Sequence, residues 1–317
     1  MRFSAGSALS AASAAVAAAV SATPRDVPGR AESALLTSLD AIEEAEALDA
    51  VTGPVRDVVR KLPLGRLRDV LHGRALGHPL HPVLVQLPMG AWLSAAVLDL
   101  VPGSERAAGT LVAVGLATAG PAAAAGWVDW AELHEPQMRT GIVHAASNVV
   151  AVGLYGGSLA ARLSGRQGLG RALGWAGLSV AGVGGMLGGH LAYRQAAGPN
   201  KAEPVPHLVA PGWHAVGRME DFPVGVAVRA TVGEVPVLVV RTPGGTPQVL
   251  ADRCSHLSGP LSDGRVVDGC VTCPWHGSVF RLSDGHNVKG PATAPQPRFD
   301  SRVLDDGTVE VRLPGAG

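Results

Sequence analysis

Two short groups of cysteine and histidine, near the carboxyl end of the chain, carry the residue types best suited to binding metal. The first hook is Cys254-Ser255-His256 and the second hook is Cys273-Pro274-Trp275-His276. Each hook offers one sulfur and one imidazole nitrogen, so the four ligands divide evenly between the two irons of an iron–sulfur pair. A single zinc ion is the alternative, since two cysteines and two histidines also form a zinc set. The mixed ligand order favours the iron pair, because zinc fingers usually group their cysteines together and their histidines together.

The residues around both hooks resemble the Rieske [2Fe–2S] family, over about residues 207–314. The second hook continues into Gly277-Ser278, and Gly290-Pro291-Ala292 is similar to the proline loop that covers the cluster in that family. The resemblance implies that Cys254 and Cys273 bind one iron. It implies that His256 and His276 bind the other. The residues it places around the cluster are Ser278, Trp275, Gly290 and Pro291.

Four positions narrow the resemblance further. Gly259 and Trp275 stand where respiratory Rieske proteins carry a disulfide, so the domain is similar to the ferredoxin subgroup. Ser278 matches a serine that donates a hydrogen bond to a cluster sulfur, whereas Phe280 stands where high-potential members often have tyrosine. Fewer donors leave more charge on the sulfurs, so the resemblance implies a reduction potential in the low or middle part of the family range. The resemblance also implies that the outer ring nitrogens of both hook histidines reach solvent, where a partner docks.

The composition indicates membrane segments. Of the 317 residues, 47% are hydrophobic and only 16% are charged, which is unusual for a soluble protein. The formal net charge is zero, so no basic surface suggests nucleic acid as a partner. The three cysteines leave no pair for a disulfide once two serve as ligands.

Four apolar runs of about 20 residues each are long enough to cross a bilayer as helices. They cover Val83–Val101, Ala107–Val128, Gly141–Ala161 and Ala172–Leu191. Glycines at small-xxx-small spacing predict close packing of the spans. These pairs are Gly153 with Gly157, Gly184 with Gly188, and Gly185 with Gly189. Gly77-His78-Pro79-Leu80-His81-Pro82 opens the first span and resembles the signature of a bacterial family of four-helix membrane proteins of unknown function.

We therefore predict a multi-domain membrane protein: an N-terminal four-helix transmembrane bundle and a C-terminal all-β Rieske domain, a small antiparallel β-sandwich or barrel with cluster-binding loops. The predicted divisions are an Ala-rich leader and acidic helix (1–50), a basic amphipathic interfacial segment (51–75), the bundle (76–195), a semi-stiff polar linker (196–206) and the Rieske domain (207–314). A cleaved signal peptide within residues 1–30 is an alternative to a partly disordered leader. Among the predicted β runs, Val266–Val271 is treated as one strand.

Four spans place both ends of the bundle on one side, here called the Rieske side. Seven basic residues lie near the span ends on this side and four lie on the opposite side. This bias predicts that the Rieske domain is cytoplasmic at a bacterial plasma membrane.

Several ionisable residues fall at the Rieske-side end of the bundle: His78, His81, Asp129, His144 and His190. Ionisable side chains within spans usually face a bundle interior or a cavity. They could cap and join the helices, form a quinol site whose histidine or Asp129 accepts a proton, or bind a b-type haem between His144 and His190. Asp99 and Glu105, at the far end, are interpreted as headgroup-level residues.

Together these features predict a membrane-anchored electron-transfer protein, a one-electron carrier that works at the membrane surface. The alternative is an oxidoreductase that oxidises quinol, or contains b-type haem, at the histidine-rich end of the bundle. A redox sensor is a third possibility. A self-contained Rieske oxygenase is disfavoured, because only 41 residues follow His276 and a mononuclear iron site needs a further large domain. The expected partners are lipid and redox proteins or quinol.

Overall fold

The computed structural model describes residues 29–315. The predicted leader and any signal peptide therefore lie outside the described residues, apart from helix α1 (Gly29–Glu43). This helix falls in a compact unit that ends at Ala45, and the remaining chain from Glu46 onward forms a second unit. All the features described below belong to the second unit.

The basic amphipathic segment forms two helices, α2 (Asp49–Lys61) and α3 (Arg66–Leu71), separated at the predicted break around Pro63. One apolar face of α2 packs on the bundle, where Val59 is buried against Trp130 and Met138. Arg60 adds a hydrogen bond to this contact, because its Nε donates to the carbonyl of Ala131 at 3.0 Å. The segment is thus held to the end of the bundle by both apolar packing and hydrogen bonds.

Four helical segments in the described chain are long and apolar enough to cross a membrane, as predicted. The first consists of α4 (His81–Leu84) and α5 (Gln86–Leu98), and the second is α6 (Glu105–Trp130). The third is α7 (Glu135–Leu163), and the fourth is α8 (Gln167–Gly189), which continues as one wide π-helical turn, His190–Arg194. The last three segments extend beyond the predicted apolar runs at both ends, whereas the first ends at Leu98, before the predicted end at Val101.

A row of glycines on α8 makes room for polar side chains of α7. A methyl group on Gly184 would lie 2.6 Å from Oδ1 of Asn148, and one on Gly188 would lie 3.3 Å from the ring of His144. The prediction of close packing is confirmed for these two glycines. It is wrong for Gly185, where an added methyl group would meet nothing within 4 Å. The same holds for Gly153 and Gly189.

Asp99, which the sequence analysis interprets as a headgroup-level residue, is buried inside the far end of the bundle. It is 7% exposed and forms a buried ion pair with Arg162. Sequence spacing could not show this, because the two residues lie 63 positions apart on different helices.

The C-terminal region folds into two antiparallel sheets. The six-stranded sheet has the order β1-β10-β9-β4-β3-β2 and the four-stranded sheet the order β5-β6-β7-β8. The strands of the first sheet are β1 (His214–Arg218), β2 (Ala227–Val232), β3 (Val235–Val240), β4 (Gln248–Ala251), β9 (Arg298–Val303) and β10 (Thr308–Arg312). Those of the second are β5 (Arg265–Val267), β6 (Cys270–Thr272), β7 (Val279–Arg281) and β8 (Asn287–Lys289).

Strand β3 separates two cores. Val237 and Val239 point into a first core, which they share with Val205 and Val209. Leu238 and Val240 point into a second core, which includes Cys254 and Cys273. This follows from the two-residue period of a strand, which sends neighbouring side chains to opposite faces. The hooks therefore rest on the second core.

The predicted single strand Val266–Val271 is wrong. It is a hairpin of β5 and β6, with Asp268 and Gly269 at its turn in left-handed conformations, φ 50° and 70°. An Asp-Gly pair with positive φ at both positions is the preferred two-residue hairpin turn. The signal was present in the sequence but lay inside an apolar run.

Part of the predicted semi-stiff linker is packed against the β domain. Ala202 is fully buried, and Val205, in the short helix α9 (Val205–Leu208), packs into the first core of the β domain. The backbone N–H of Lys201 donates to the carbonyl of Ser255, in the first hook, at 2.9 Å. The segment that follows the bundle is thus hydrogen-bonded to the first hook.

Candidate metal centre

The first hook is a tight loop that follows β4. The N–H of Cys254 donates to the carbonyl of Gly259, and the N–H of Ser258 donates back to the carbonyl of Cys254, each at 2.9 Å. Ser258 has a φ of 65°, the left-handed conformation that closes the loop. Gln296 holds the loop in place, because its Oε1 accepts the N–H of Ser255 at 3.1 Å.

The second hook is the turn between β6 and β7. The N–H of Cys273 donates to the carbonyl of Ser278 at 2.8 Å, and the N–H of Gly277 donates to the carbonyl of Cys273 at 3.1 Å. Gly277 has a φ of 71°, which a glycine adopts without strain. The turn leaves Trp275 at the tip, 50% exposed.

The two hooks meet with like ligands side by side. The thiols of Cys254 and Cys273 are in hydrogen-bonding contact, and this contact raises the pKa of Cys254 and lowers that of Cys273 to about 6. The rings of His256 and His276 have centroids 5.0 Å apart at an angle of 86°. Sulfur ligands thus lie next to each other and imidazoles next to each other, as two unequally ligated metals would need.

The protein environment prepares both imidazoles to bind metal. Nδ1 of His256 is buried and has no hydrogen-bond partner, which is costly unless a ligand occupies that position. Burial holds the pKa of His256 well below its ordinary value and lowers that of His276 to about 4, with nearby basic groups adding to both effects. Both rings therefore stay neutral, the form in which histidine binds a metal. The four residues fit a [2Fe–2S] group.

Glycines and the proline loop pack closely around the two hooks. A methyl group on Gly259 would lie 2.9 Å from Sγ of Cys273, so only glycine fits there without a shift. A methyl group on Gly290 would lie 2.7 Å from Cα of Ser278, which brings the proline loop, with buried Pro291, against the second hook. Oγ of Ser278 is fully buried and accepts the N–H of Ala292 at 3.0 Å. The hydroxyl hydrogen of Ser278 therefore remains available to donate to another acceptor.

The five predicted residues of the bundle end have different surroundings. The rings of His81 and His144 lie near each other, with centroids 6.3 Å apart. Asp129 instead accepts a hydrogen bond from His72, at 2.7 Å. His78 is exposed and contacts the carbonyl of Pro79. His190 is buried at the end of α8.

The haem interpretation is not supported. Nδ1 of His144 is 2.7 Å from the carbonyl oxygen of Gly184, and its Nε2 is 3.1 Å from Nδ2 of Asn148. Both ring nitrogens are therefore engaged within the bundle, and neither is left for an iron axial position. The stabilising role of His144 between α7 and α8 is the interpretation that the contacts favour.

Two histidines that the sequence reasoning missed lie near the hooks. His72, which follows α3, is 1% exposed, and its charge is among those that lower the pKa of His256. His134 precedes α7, and its ring centroid lies 5.6 Å from that of Trp275 and 6.1 Å from that of His276. A signal existed for His134, because it directly precedes Glu135-Pro136 at the start of a span on the Rieske side.

The hooks therefore face the bundle more than predicted. His256 and His276 are both half-buried, and the ring of His134 at the bundle end lies near that of His276. Two further contacts join the halves of the chain: the N–H of Gly290 donates to Asp69 at 3.2 Å, and Arg74 donates to the carbonyl of Asn287 at 3.3 Å.

Comparison with known proteins matches both halves of the chain. Residues 212–300 match the family model of the Rieske [2Fe–2S] domain, and residues 77–201 match that of the predicted membrane protein family DUF2231. The anthranilate 1,2-dioxygenase ferredoxin subunit of Burkholderia cepacia is 34% identical over 101 residues, which cover 32% of this chain and 92% of that protein. The 3-phenylpropionate/cinnamic acid dioxygenase ferredoxin subunit of Escherichia coli (strain K12) is 34% identical over 97 residues, or 30% of this chain and 89% of that protein.

Among solved structures, the ferredoxin of carbazole 1,9a-dioxygenase from Nocardioides aromaticivorans IC177 aligns over 33% of this chain and 98% of its own. The identity is 24% and the TM-score is 0.30. Together with the paired ligands at the hooks, the sequence matches confirm both resemblances. A Rieske domain implies a [2Fe–2S] cluster. This chain belongs to the Rieske [2Fe–2S] ferredoxin family through its C-terminal domain, which is fused to an N-terminal DUF2231 membrane domain.

Proposed function

We propose that this chain is a membrane-anchored one-electron carrier in which Cys254 and Cys273 hold one iron of the [2Fe–2S] cluster, and His256 and His276 hold the other. When bound, the cluster supplies reversible one-electron transfer. The buried, unpartnered Nδ1 of His256 is the observation that carries the ligand assignment. A buried imidazole nitrogen next to paired thiols is best explained by a metal ligand.

The residues around the hooks have separable tasks in this proposal. The tight turns at the hooks fix the four ligands, and the second core keeps water from the sulfur side. Ser278 would donate its hydroxyl hydrogen to the bound cluster, and Gly290 and Pro291 would cover the cluster. Trp275 remains half-exposed at the tip and offers a contact for a redox partner.

The ligand assignment is tested with the full-length protein purified in detergent. We expect iron and acid-labile sulfide in equal amounts and a Rieske EPR signal on reduction. His276→Ala and Cys273→Ala should lose the signal. Cys270→Ala is the matched control, because Cys270 is the third cysteine and lies on β6 outside the hooks. Zinc in place of iron, or an unchanged spectrum in His276→Ala, would refute the assignment.

A protein partner is supported by the relatives, which are ferredoxin subunits of dioxygenases. By analogy we propose that the tip delivers electrons to, or collects them from, another redox protein. The four apolar helices would anchor the carrier in lipid. Anchoring raises the effective concentration for a membrane-bound partner without any new contact.

The excess of basic residues on the Rieske side supports a cytoplasmic location for the cluster in a bacterial plasma membrane. Reporter fusions to the C-terminus test this orientation. A green fluorescent protein fused there should fluoresce, and an alkaline phosphatase fused there should stay inactive. The reverse pattern would place the Rieske domain on the outside.

Quinol oxidation is a second candidate, favoured by one observation. An apolar cleft of about 460 Å³ lies between α2 and the bundle, and its wall includes Leu71, Trp127 and Val128. Leu71 and Val128 directly precede the paired His72 and Asp129. A quinol in this cleft could give one proton to the pair and one electron to the cluster that the hooks would hold, which would leave a neutral semiquinone to be oxidised in a second such step. Reduction of the cluster by a soluble quinol, lost in Asp129→Asn, would favour this function over a simple carrier.

A further inference from the structure

The apolar cleft between α2 and the bundle opens to the outside of the protein. Trp127, on α6, contributes a ring with one N–H to its wall, and the other lining side chains are all hydrocarbon. Two of them, Val58 and Leu62, are 62% and 46% exposed and therefore lie at the mouth of the cleft. The wall thus suits a hydrocarbon chain and offers few polar contacts to a ring with hydroxyl groups.

Further apolar side chains beside the mouth are exposed. Leu67 and Val70 on α3 are both more than half exposed, and so is Leu76 after it. A group of exposed apolar side chains of this kind marks a contact surface. The opposite wall of the cleft belongs to the end of α6, a helix long and apolar enough to cross a membrane. The hydrocarbon of the bilayer is therefore the material within reach of this surface.

Two cations without partners stand at the break between α2 and α3. Lys61 is the last residue of α2 and Arg66 is the first residue of α3, and both are exposed. Leu62 and Leu64, which line the cleft, lie between them in the chain. Within 51–75, all of which the structure describes, the other Lys and Arg side chains are engaged: Arg56 by Asp57, Arg60 by Glu132, Arg68 by the carbonyl of Val59 and Arg74 by that of Asn287.

The charge of this stretch is complementary to an anionic headgroup. Residues 51–75 carry six basic and two acidic side chains. Both acids are already bound within the protein, because Asp57 pairs with Arg56 and Asp69 accepts the N–H of Gly290. Basic clusters beside a membrane-crossing helix on its cytoplasmic side attract anionic lipids. A hydrocarbon cleft flanked by free cations matches the two chemical parts of such a lipid.

We propose that the cleft and its two cations bind one anionic phospholipid of the leaflet on the Rieske side, with an acyl chain in the cleft and the phosphate against Lys61 and Arg66. The lipid would hold α2 and α3 against α6. Asp69 and Arg74, on and after α3, bind the Rieske domain, so the same lipid would steady that domain at the bundle end. The lipid is an alternative to quinol as the occupant of the cleft, and the proposed carrier function does not depend on it.

Fluorescence of Trp127 reports directly on the occupied cleft. The full-length protein is freed of lipid in detergent and titrated with phosphatidylglycerol that has brominated acyl chains, since bromine quenches indole fluorescence on close approach. Subtracting the signal of Trp127→Phe separates this tryptophan from the others in the chain. We expect saturable quenching of Trp127, at a much lower concentration than with brominated phosphatidylcholine of the same chain length.

The two cations are tested by combining Lys61→Gln with Arg66→Gln. This double variant should bind phosphatidylglycerol roughly 30-fold more weakly at low salt, with its binding of phosphatidylcholine unchanged. Arg106→Gln with Arg166→Gln is the matched control, because both residues are exposed cations at the opposite end of the bundle. The control should bind as the unaltered protein does.

The cleft is tested separately by Ala124→Phe, which adds a ring to its wall on α6. The quenching of Trp127 should be lost although both cations remain. Equal affinities for the two lipids, or equal losses in the Gln double variant and its control, would overturn the anionic site. Displacement of phosphatidylglycerol by an equal concentration of decylubiquinol would assign the cleft to quinol instead.

The outcomes for the lipid and for the cluster are independent. Iron content and the Rieske EPR signal are measured on the same preparations. A protein that binds phosphatidylglycerol as expected but shows no Rieske signal would refute the carrier function alone. A protein with the signal intact and no preference for the anionic lipid would refute the lipid site alone.

Discussion

The guanidinium of Arg162 donates two hydrogen bonds to the carboxylate of Asp99, at 2.8 and 2.5 Å, inside the end of the bundle farthest from the Rieske domain. Both side chains are only 3% exposed. The pair joins the end of the first span to the end of the third. Nε of Arg162 also lies 3.2 Å from Oγ of Ser158, so the guanidinium is held on a third side.

Replacing one member of this pair should destabilise the bundle more than replacing both members together. Asp99→Leu leaves the buried charge of Arg162 unpaired, at a cost of about 3–5 kcal/mol. Arg162→Leu leaves Asp99 with Arg171, whose Nε lies 3.8 Å from the Asp99 carboxylate, so we expect a smaller cost. The double variant leaves neither charge, so it should melt at a higher temperature than either single variant. Thermal melting in detergent measures all three. Additive losses in the double variant would show that the two side chains act independently.

The glycine row on α8 predicts a sharp contrast between neighbouring positions. Gly184→Ala would drive a methyl group against Asn148, and overpacking of this kind typically costs about 1–3 kcal/mol. Gly185→Ala meets nothing within 4 Å and should be neutral or slightly stabilising, since alanine favours helix over glycine. Melting temperatures of the two variants decide the point. Similar losses at both positions would contradict this packing of α7 against α8.

Gln296 should matter for cluster retention although it is not a ligand. The side chain is 2% exposed, and its Nε2 donates to the carbonyls of Ala251 and Arg253 while Oε1 accepts from Ser255. Gln296→Leu leaves these buried groups unpaired, at about 1–3 kcal/mol each. We expect less iron per chain and faster bleaching of the visible spectrum.

Gln248→Leu, at the start of β4, is the control for the same exchange outside the hook. It should retain the iron content of the unaltered protein. A Gln296→Leu protein with full iron content and an unchanged bleaching rate would show that the first hook keeps its conformation without Gln296.

The turn after β7 should give the Rieske domain an acid-sensitive contribution to stability. Asp284 accepts the N–H of His286 at 2.9 Å and a hydrogen bond from Arg281 at 2.7 Å, and these bonds, the first most strongly, lower the pKa of Asp284. The unfolded chain therefore takes up this proton at a higher pH than the folded chain. The contribution is present near neutral pH and is lost as the pH falls through the lowered folded pKa.

Asp284→Asn should accordingly melt below the unaltered protein at neutral pH, with a difference that shrinks on acidification. Melting curves over a pH series measure this difference. Asp305→Asn, an exposed position in another turn, is the control. A difference that stays constant with pH would contradict the assigned role of the Asp284 carboxylate.

The sequence by itself determined the features that depend on short-range patterns. The hooks follow from ligand types a few residues apart, and the four spans follow from apolar runs that match the thickness of a bilayer. The Asp268-Gly269 turn was equally local, although it was hidden in an apolar run.

Only the tertiary structure decided which distant side chains meet. His72 with Asp129, His134 with His276, and Asp99 with Arg162 each join elements far apart in the chain. Such pairs depend on the rotation of each helix about its axis and on the seating of the β domain against the bundle. Local periodicity shows which residues share a face, but the packing of one element on another selects the partner of that face.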